Sequence, residues 1–383
     1  MPDDTISELT STITDWIRTH RAYLADQPQG GTSLLWKLWD RLAHLVYDDD
    51  SDFDTVSDDL VDRALNLPGG ELAWTLLDHL IAEKPEPGTG LGVMEPRFLH
   101  VARSDSEAGL LGRVHFSRAM NYLHHIAPNW TSAEMLPRFQ EGHTEAMAMW
   151  KANAQSRVGS PELFNALKQP LLAFIPRPDL SDNESSNLVT RLIDITIWRQ
   201  LGSASEYELS AAEVRDLLVI GPARLREHVA WLLWRLQADN SSEEGDLGEK
   251  GDRWKNLVGP IFQAIWPLDV RLRTKRASEN LVLMVMETDK AFPEAVGTIV
   301  DYLEPYQIYA LEHAFRLERA HEDLIARYPR SIIILTNALV DPELHPVPSD
   351  LGKLLDDCIE IDPEVANIEA YLRLNGFRRF GGA

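Results

Sequence analysis

The chain has 383 residues, 44% of them hydrophobic and 25% charged, the balance of an ordinary globular protein rather than a disordered one, with length enough for one elongated domain or two to three compact ones. Lys and Arg number 37 against 60 Asp and Glu, a net charge of −23, so the mean field repels a phosphate backbone and an anionic membrane surface. Nucleic acid is therefore disfavoured as a partner. The single cysteine, Cys358, excludes an intramolecular disulfide and a multi-cysteine metal site, which fits a reducing, cytoplasmic setting.

Helical signals begin at once. Thr5-Ile-Ser-Glu8 has capping-box spacing, and Ile6, Leu9, Ile13, Trp16, Ile17 and Leu24 mark one helix face before Gly30-Gly31. Leu34, Leu35, Leu38, Leu42, Leu45 and Val46 form a second stripe, widened by Trp36 and Trp39. The acidic run Asp48–Asp54 leads to a third helix ending near Leu67, and a fourth is expected over Glu71–Ile81, after a Pro68-Gly69-Gly70 break. The Pro- and Gly-rich stretch Glu83–Pro96 predicts a corner, closing a first block over 1–84.

A second block is expected over 97–238. Helices are predicted at Ser106–Ile126, from the capping box Thr131–Glu134 toward Pro137, from Ser160-Pro161 to about Phe174, and after the box pairs Ser181/Glu184 and Ser210/Glu213. The polar stretch Asp239–Asp252 holds one leucine, too little apolar surface to offset ordering, and predicts a loop. The third block, 252–383, carries helical patterns at Trp254–Ile265, Ala277–Met286, Phe292–Leu303, Ile308–Ile325, Arg330–Val340, Leu351–Ile361 and Pro363–Leu374. Corners at Trp266-Pro267, Glu304-Pro305 and Tyr328-Pro329 punctuate it. With no alternating strand pairs and an irregular spacing of helix pairs, the expected fold is all-α: stacked antiparallel hairpins in an irregular HEAT-like α-solenoid.

Candidate chemistry is sparse. Asp48, Asp50, Asp52, Asp54 and Asp59 imitate a calcium-loop ladder, but Phe53 replaces the glycine of the sharp turn and the last position lacks the bidentate Glu, so an exposed acidic loop is expected. Gly88-Thr-Gly90-Leu-Gly92 is flanked by prolines rather than by a strand and a helix, which argues a corner, not a phosphate cradle. His115, His124, His125 and His143 gather near Glu141 and Glu145 without the spacing of a metal motif. Arg271, Arg273, Lys275 and Arg276 form the densest basic cluster. These four, with His124 and His125, are the candidate partner-binding residues. No catalytic residue, cofactor or metal ligand is assigned, and no apolar run approaches the roughly 20 residues that cross a bilayer.

Two segments carry a resemblance. Asn121–Trp130, continuing through Leu136-Pro137-Arg138-Phe139 to Trp150, and then Trp254–Gly259, Trp266-Pro267, Ala291–Val296 and Tyr328-Pro329, resemble the C-terminal helical region, a domain of unknown function, of large bacterial antiphage defence proteins with a sirtuin-like NAD-consuming domain. The sirtuin-like Gly-rich turn with its catalytic His and Asn has no counterpart here. The resemblance implies a non-catalytic helical sensor or regulatory scaffold binding a protein partner, such as a defence effector or a phage protein. The alternative is a hydrolase or other enzyme using the His- and Glu-rich 115–145 region.

Overall fold

The computed structural model describes residues 10–29, 32–48, 59–239, 249–311 and 322–378. Apart from one two-residue antiparallel pair, Pro28–Gln29 with Thr32–Ser33, the regular structure of the described residues is helical, and the protein is all-α. The Thr5–Glu8 box, Gly30-Gly31, the acidic residues from 49 to 54, most of the Asp239–Asp252 stretch, the middle of the Ile308–Ile325 pattern and Arg379 lie outside the described residues.

The chain divides into two compact units, Met1–Arg191 with Glu206–Glu208, and Leu192–Ser205 with Leu209–Ala383. The division does not follow the breaks at 84–97 and 238–252. The glycine-rich corner is tied into the first unit, because Gly88 and Gly90 N–H groups donate to the His125 and Ile126 carbonyls. The split falls instead inside one helix, Asp182–Gln200, whose first half belongs to one unit and second half to the other.

The first unit comprises α1 (Thr10–Thr19), α2 (Arg21–Ala25), α3 (Leu34–Tyr47), α4 (Leu60–Asn66), α5 (Pro68–Glu83), α6 (Glu95–Arg103), α7 (Glu107–Arg118), α8 (Met120–Ile126), α9 (Ala146–Asn153), α10 (Pro161–Phe174) and the start of α11 (Asp182–Gln200). Helix α7 is central, packing against α4, α5, α6 and α9. Every residue from Gly109 to Ser117 is buried, as expected of a helix with neighbours on all sides.

That crowding explains two glycines. A Cβ at Gly112 would lie 2.3 Å from Val101 Cγ1, and one at Gly69 would lie 2.6 Å from the Ala108 backbone. Pro68-Gly69-Gly70, expected as a break, is therefore the first turn of α5. A proline at the helix start loses no hydrogen bond, and the glycines let the α5 and α7 backbones approach. A second correction concerns Thr131. The helix has already begun at Pro128, so the Thr131 hydroxyl donates back to the Ala127 carbonyl at 2.9 Å instead of capping a new one. Glu134 pairs with Arg103. The Ser160, Ser181 and Ser210 caps all form.

The second unit holds the rest of α11, then α12 (Ala211–Ile220), α13 (Ala223–Ala238), α14 (Gly259–Ile265), α15 (Lys275–Met286), α16 (Phe292–Ile299), α17 (Glu322–Arg327), α18 (Pro329–Leu339), α19 (Leu351–Ile361) and α20 (Glu369–Phe377). Helices α13 and α15 pair, α12 packs on α14, and α18 meets α16, α19 and α20. Pro293 and Pro329 sit in the first turns of α16 and α18, so the Tyr328-Pro329 corner is a helix start, while Pro267 and Pro305 lie in non-helical connections. Trp150 and Trp254 are buried, whereas Trp198 is 37% exposed.

A single device recurs in both units. Helix C-termini leave carbonyls without partners, and arginines from elsewhere in the same unit supply the missing donors. Arg113 and Arg138 reach the end of α6, and Arg191 the Asn153 carbonyl ending α9. Arg226 donates to the Leu218 and Gly221 carbonyls at 2.7 and 2.9 Å, and Arg215 to the last turn of α14. Arg253 closes α13 through the Leu236, Gln237 and Asp239 carbonyls. The positive charge also meets the negative end of each helix dipole. Much of the arginine of an acidic chain is thus spent inside its own fold.

Candidate functional site

Where α4, α5, α7, α8 and the turn after α9 converge, the first unit opens a surface cleft of about 540 Å³. Helix α5 contributes Trp74, Leu77, Asp78 and Ile81, which the i, i+4, i+7 spacing puts on one helix face. The end of α7 brings His115 and Arg118, α8 brings Tyr122, and the turn after α9 brings Arg157. The result is an apolar and aromatic floor with guanidinium groups at its rim.

Each floor residue is held in place. Trp74 Nε1 donates to Asp78 Oδ1 at 3.1 Å, the Arg18 guanidinium lies 4.6 Å from the Trp74 ring, and the His115 ring lies 5.4 Å from it. His115 Nε2 stands 2.7 Å from the Ala64 carbonyl, so that nitrogen carries the proton in the neutral ring. Burial pushes the His115 pKa down to about 4. It is uncharged at neutral pH. Tyr122 donates its hydroxyl to the Leu80 carbonyl at 3.2 Å, and the Asn121 amide fixes the Arg157 carbonyl at 3.0 Å.

The rim differs from the buried arginines. Among the described residues, neither Arg118 nor Arg157 has a carboxylate within ion-pair distance. The Arg118 carbonyl accepts the Ser156 hydroxyl at 2.8 Å; Arg118 is half-buried and Arg157 exposed. Chemically, the cleft can accept an apolar or aromatic side chain on Trp74 and Tyr122 while an anionic group meets the two cations.

The residues singled out from the sequence are placed otherwise. Arg271 folds back on Asp269, with Nη2 2.6 Å from Oδ2. Arg273 donates to the Asp301 carbonyl as another helix-end cap. Lys275 lies 3.7 Å from Glu279 and over the Tyr306 ring. Arg276 is exposed. Three of the four cations are thus engaged within their own unit. His124 is half-buried, and burial lowers its pKa, while His125 is exposed at the end of α8.

Nor does the 115–145 region converge. Glu145 is buried and its carboxylate is taken by Arg113 and Arg138. His143 Nδ1 accepts the Glu145 backbone N–H at 3.1 Å, Glu141 is exposed, and His115 alone of this group reaches the cleft. The cleft residues that sequence reasoning missed are Trp74, Arg118, Tyr122 and Arg157. The face spacing on α5 was a usable signal. Bringing α5 to the turn after α9 is a long-range contact with no local signature.

Fold and cleft together define an all-α protein with an aromatic, arginine-rimmed groove in its first unit. No family model and no solved structure matches the chain. An uncharacterized protein of Sinorhizobium fredii (strain NBRC 101917 / NGR234), y4cA, is 22% identical over 332 residues, 86% of this chain and 27% of that protein. The chain therefore spans about a quarter of the length of this relative. No helix among the described residues is long and apolar enough to cross a membrane.

Proposed function

We propose that this chain is a non-catalytic protein-recognition module, a sensor or regulatory scaffold, whose first-unit cleft receives an apolar segment carrying acidic groups from a protein partner. The observation that carries the reading is the pairing of a Trp74 and Tyr122 floor with two guanidiniums, Arg118 and Arg157, that lack carboxylate partners among the described residues. Aromatic and arginine side chains dominate the energetics of protein interfaces, and open guanidiniums retain their full capacity for a carboxylate. The arrangement of hairpins as an irregular HEAT-like stack belongs to the same proposal, as does a cytoplasmic setting.

The length of the rhizobial relative supports a helical region that works beside another activity, since the matched part is a minor share of that protein. The antiphage context rests on the resemblance described above. The partner would then be a defence effector or a phage protein. In a pull-down from phage-infected cells, Trp74→Ala and the pair Arg118→Glu with Arg157→Glu should each weaken capture of the specific partner, by about 30-fold for a hot-spot aromatic worth about 2 kcal/mol. No partner in infected cells, together with unchanged phage resistance when the gene is deleted, refutes the reading.

A further inference from the structure

A second cluster lies apart from the cleft, where the end of α3 meets α6. His44 in the last turn of α3 and Asp48 at its C-cap are four residues apart and share a face. His100 on α6 faces the same carboxylate. His44 Nδ1 is 3.0 Å from Asp48 Oδ2, and His100 Nε2 is 3.0 Å from Asp48 Oδ1. One ligand atom from each of the three side chains lies within 4.8 Å of the others, the sole such group among the described residues.

We propose that His44, Asp48 and His100 form a binding site for a zinc-class divalent transition metal. The donor set is two imidazole nitrogens and one carboxylate oxygen, which suits zinc and its neighbours and not calcium or magnesium, whose sites are built from oxygens alone. With bonds of about 2.0 Å, the edge of a tetrahedral site is about 3.3 Å, close to the 3.0 Å of each imidazole nitrogen from its own oxygen of the shared carboxylate. Three protein ligands leave a fourth position for water or for a group from a partner.

The site is also preorganised on one side. The His100 ring packs 5.7 Å from Tyr47 and 6.4 Å from Trp39, and both neighbours are fixed. Trp39 Nε1 donates to the Leu72 carbonyl at 3.0 Å, and the Tyr47 hydroxyl to the Gly69 carbonyl at 2.6 Å. Ser104, just past α6, donates to the Tyr47 carbonyl at 2.6 Å and so holds the two helix ends together. His44, by contrast, has a side chain 71% exposed.

The test is calorimetric titration of the full chain with zinc chloride, supported by the visible absorption of bound Co²⁺. One equivalent is expected to bind, with affinity reduced roughly tenfold or more in His44→Ala and in Asp48→Asn. His124→Ala, far along the chain on α8, should leave it unchanged. His44 is exposed, so His44→Ala retains the fold even if His100→Ala does not, and circular dichroism verifies this. Absence of a stoichiometric site, or a site whose affinity is the same in His44→Ala and Asp48→Asn, overturns the proposal and leaves a hydrogen-bonded triad.

Discussion

Replacing Arg113 with Met tests the main cross-link of the first unit. The side chain is 1% exposed, with Nε 2.8 Å from Glu145 Oε2, Nη2 on the other carboxylate oxygen, and Nη1 2.5 Å from the Ser104 carbonyl. Methionine keeps most of the apolar stem but removes every donor. Glu145, 6% exposed, would retain Arg138 at 3.0 Å as its remaining cation. Breaking one side of a buried ion pair costs about 3–5 kcal/mol, because the surviving charge stays desolvated. With a urea m-value of about 2 kcal/mol/M, the unfolding midpoint followed by circular dichroism should fall by roughly 1.5–2.5 M.

The pH dependence is a sharper check. Burial drives the Glu145 pKa upward, but the hydrogen bonds and charge of Arg113, with the charge of Arg138, more than offset it and hold the carboxyl below its usual range. A depressed carboxylate stabilises the fold above its unfolded pKa, and this contribution is lost as pH falls through the folded value. Without Arg113 the burial effect dominates, so the penalty should be largest near neutrality and shrink toward pH 4, where Glu145 takes up a proton. A loss below about 1 kcal/mol, or one independent of pH, would refute the argument.

Two further outcomes follow from burial. The folded His115 pKa of about 4 lies below the ordinary value of 6.5, so between these the unfolded chain binds the extra proton and stability falls as pH falls. The slope is at most about 1.4 kcal/mol per pH unit, on the order of 3 kcal/mol in all. His115→Phe should therefore lose stability relative to wild type less at pH 4 than at pH 7, and parallel curves would contradict it. Cys358 is fully buried on α19, and burial, with Asp357 nearby, pushes its thiol up to about 12. A thiol reagent at pH 8 should find no reactive cysteine in the native protein and one in urea; rapid native labelling would mean that α19 opens readily.

Local signals carried far in this chain. Ser160, Ser181 and Ser210 cap as their spacing demands, and Leu351–Ile361 is helical over the expected residues, because caps and apolar stripes are settled within a few residues along the chain. The misreadings share one cause. Pro68-Gly69-Gly70 reads as a break until Ala108 is seen against Gly69, and Thr131 reads as a cap until a helix is found starting before it.

Sequence by itself determined the all-α class, most helix limits, and the strong negative charge that disfavours nucleic acid. Tertiary structure alone decided where the scarce cations act. Arg113, Arg191, Arg226 and Arg253 look like surface charge in one dimension, yet they close helix ends up to 38 positions away in sequence. Arg118 and Arg157 look no different from them, yet they line the cleft beside Trp74 without a carboxylate partner among the described residues. His44, Asp48 and His100 span 52 positions between Asp48 and its second histidine. Such groupings depend on which helix ends meet, which is set by close packing of whole faces and not by any local pattern.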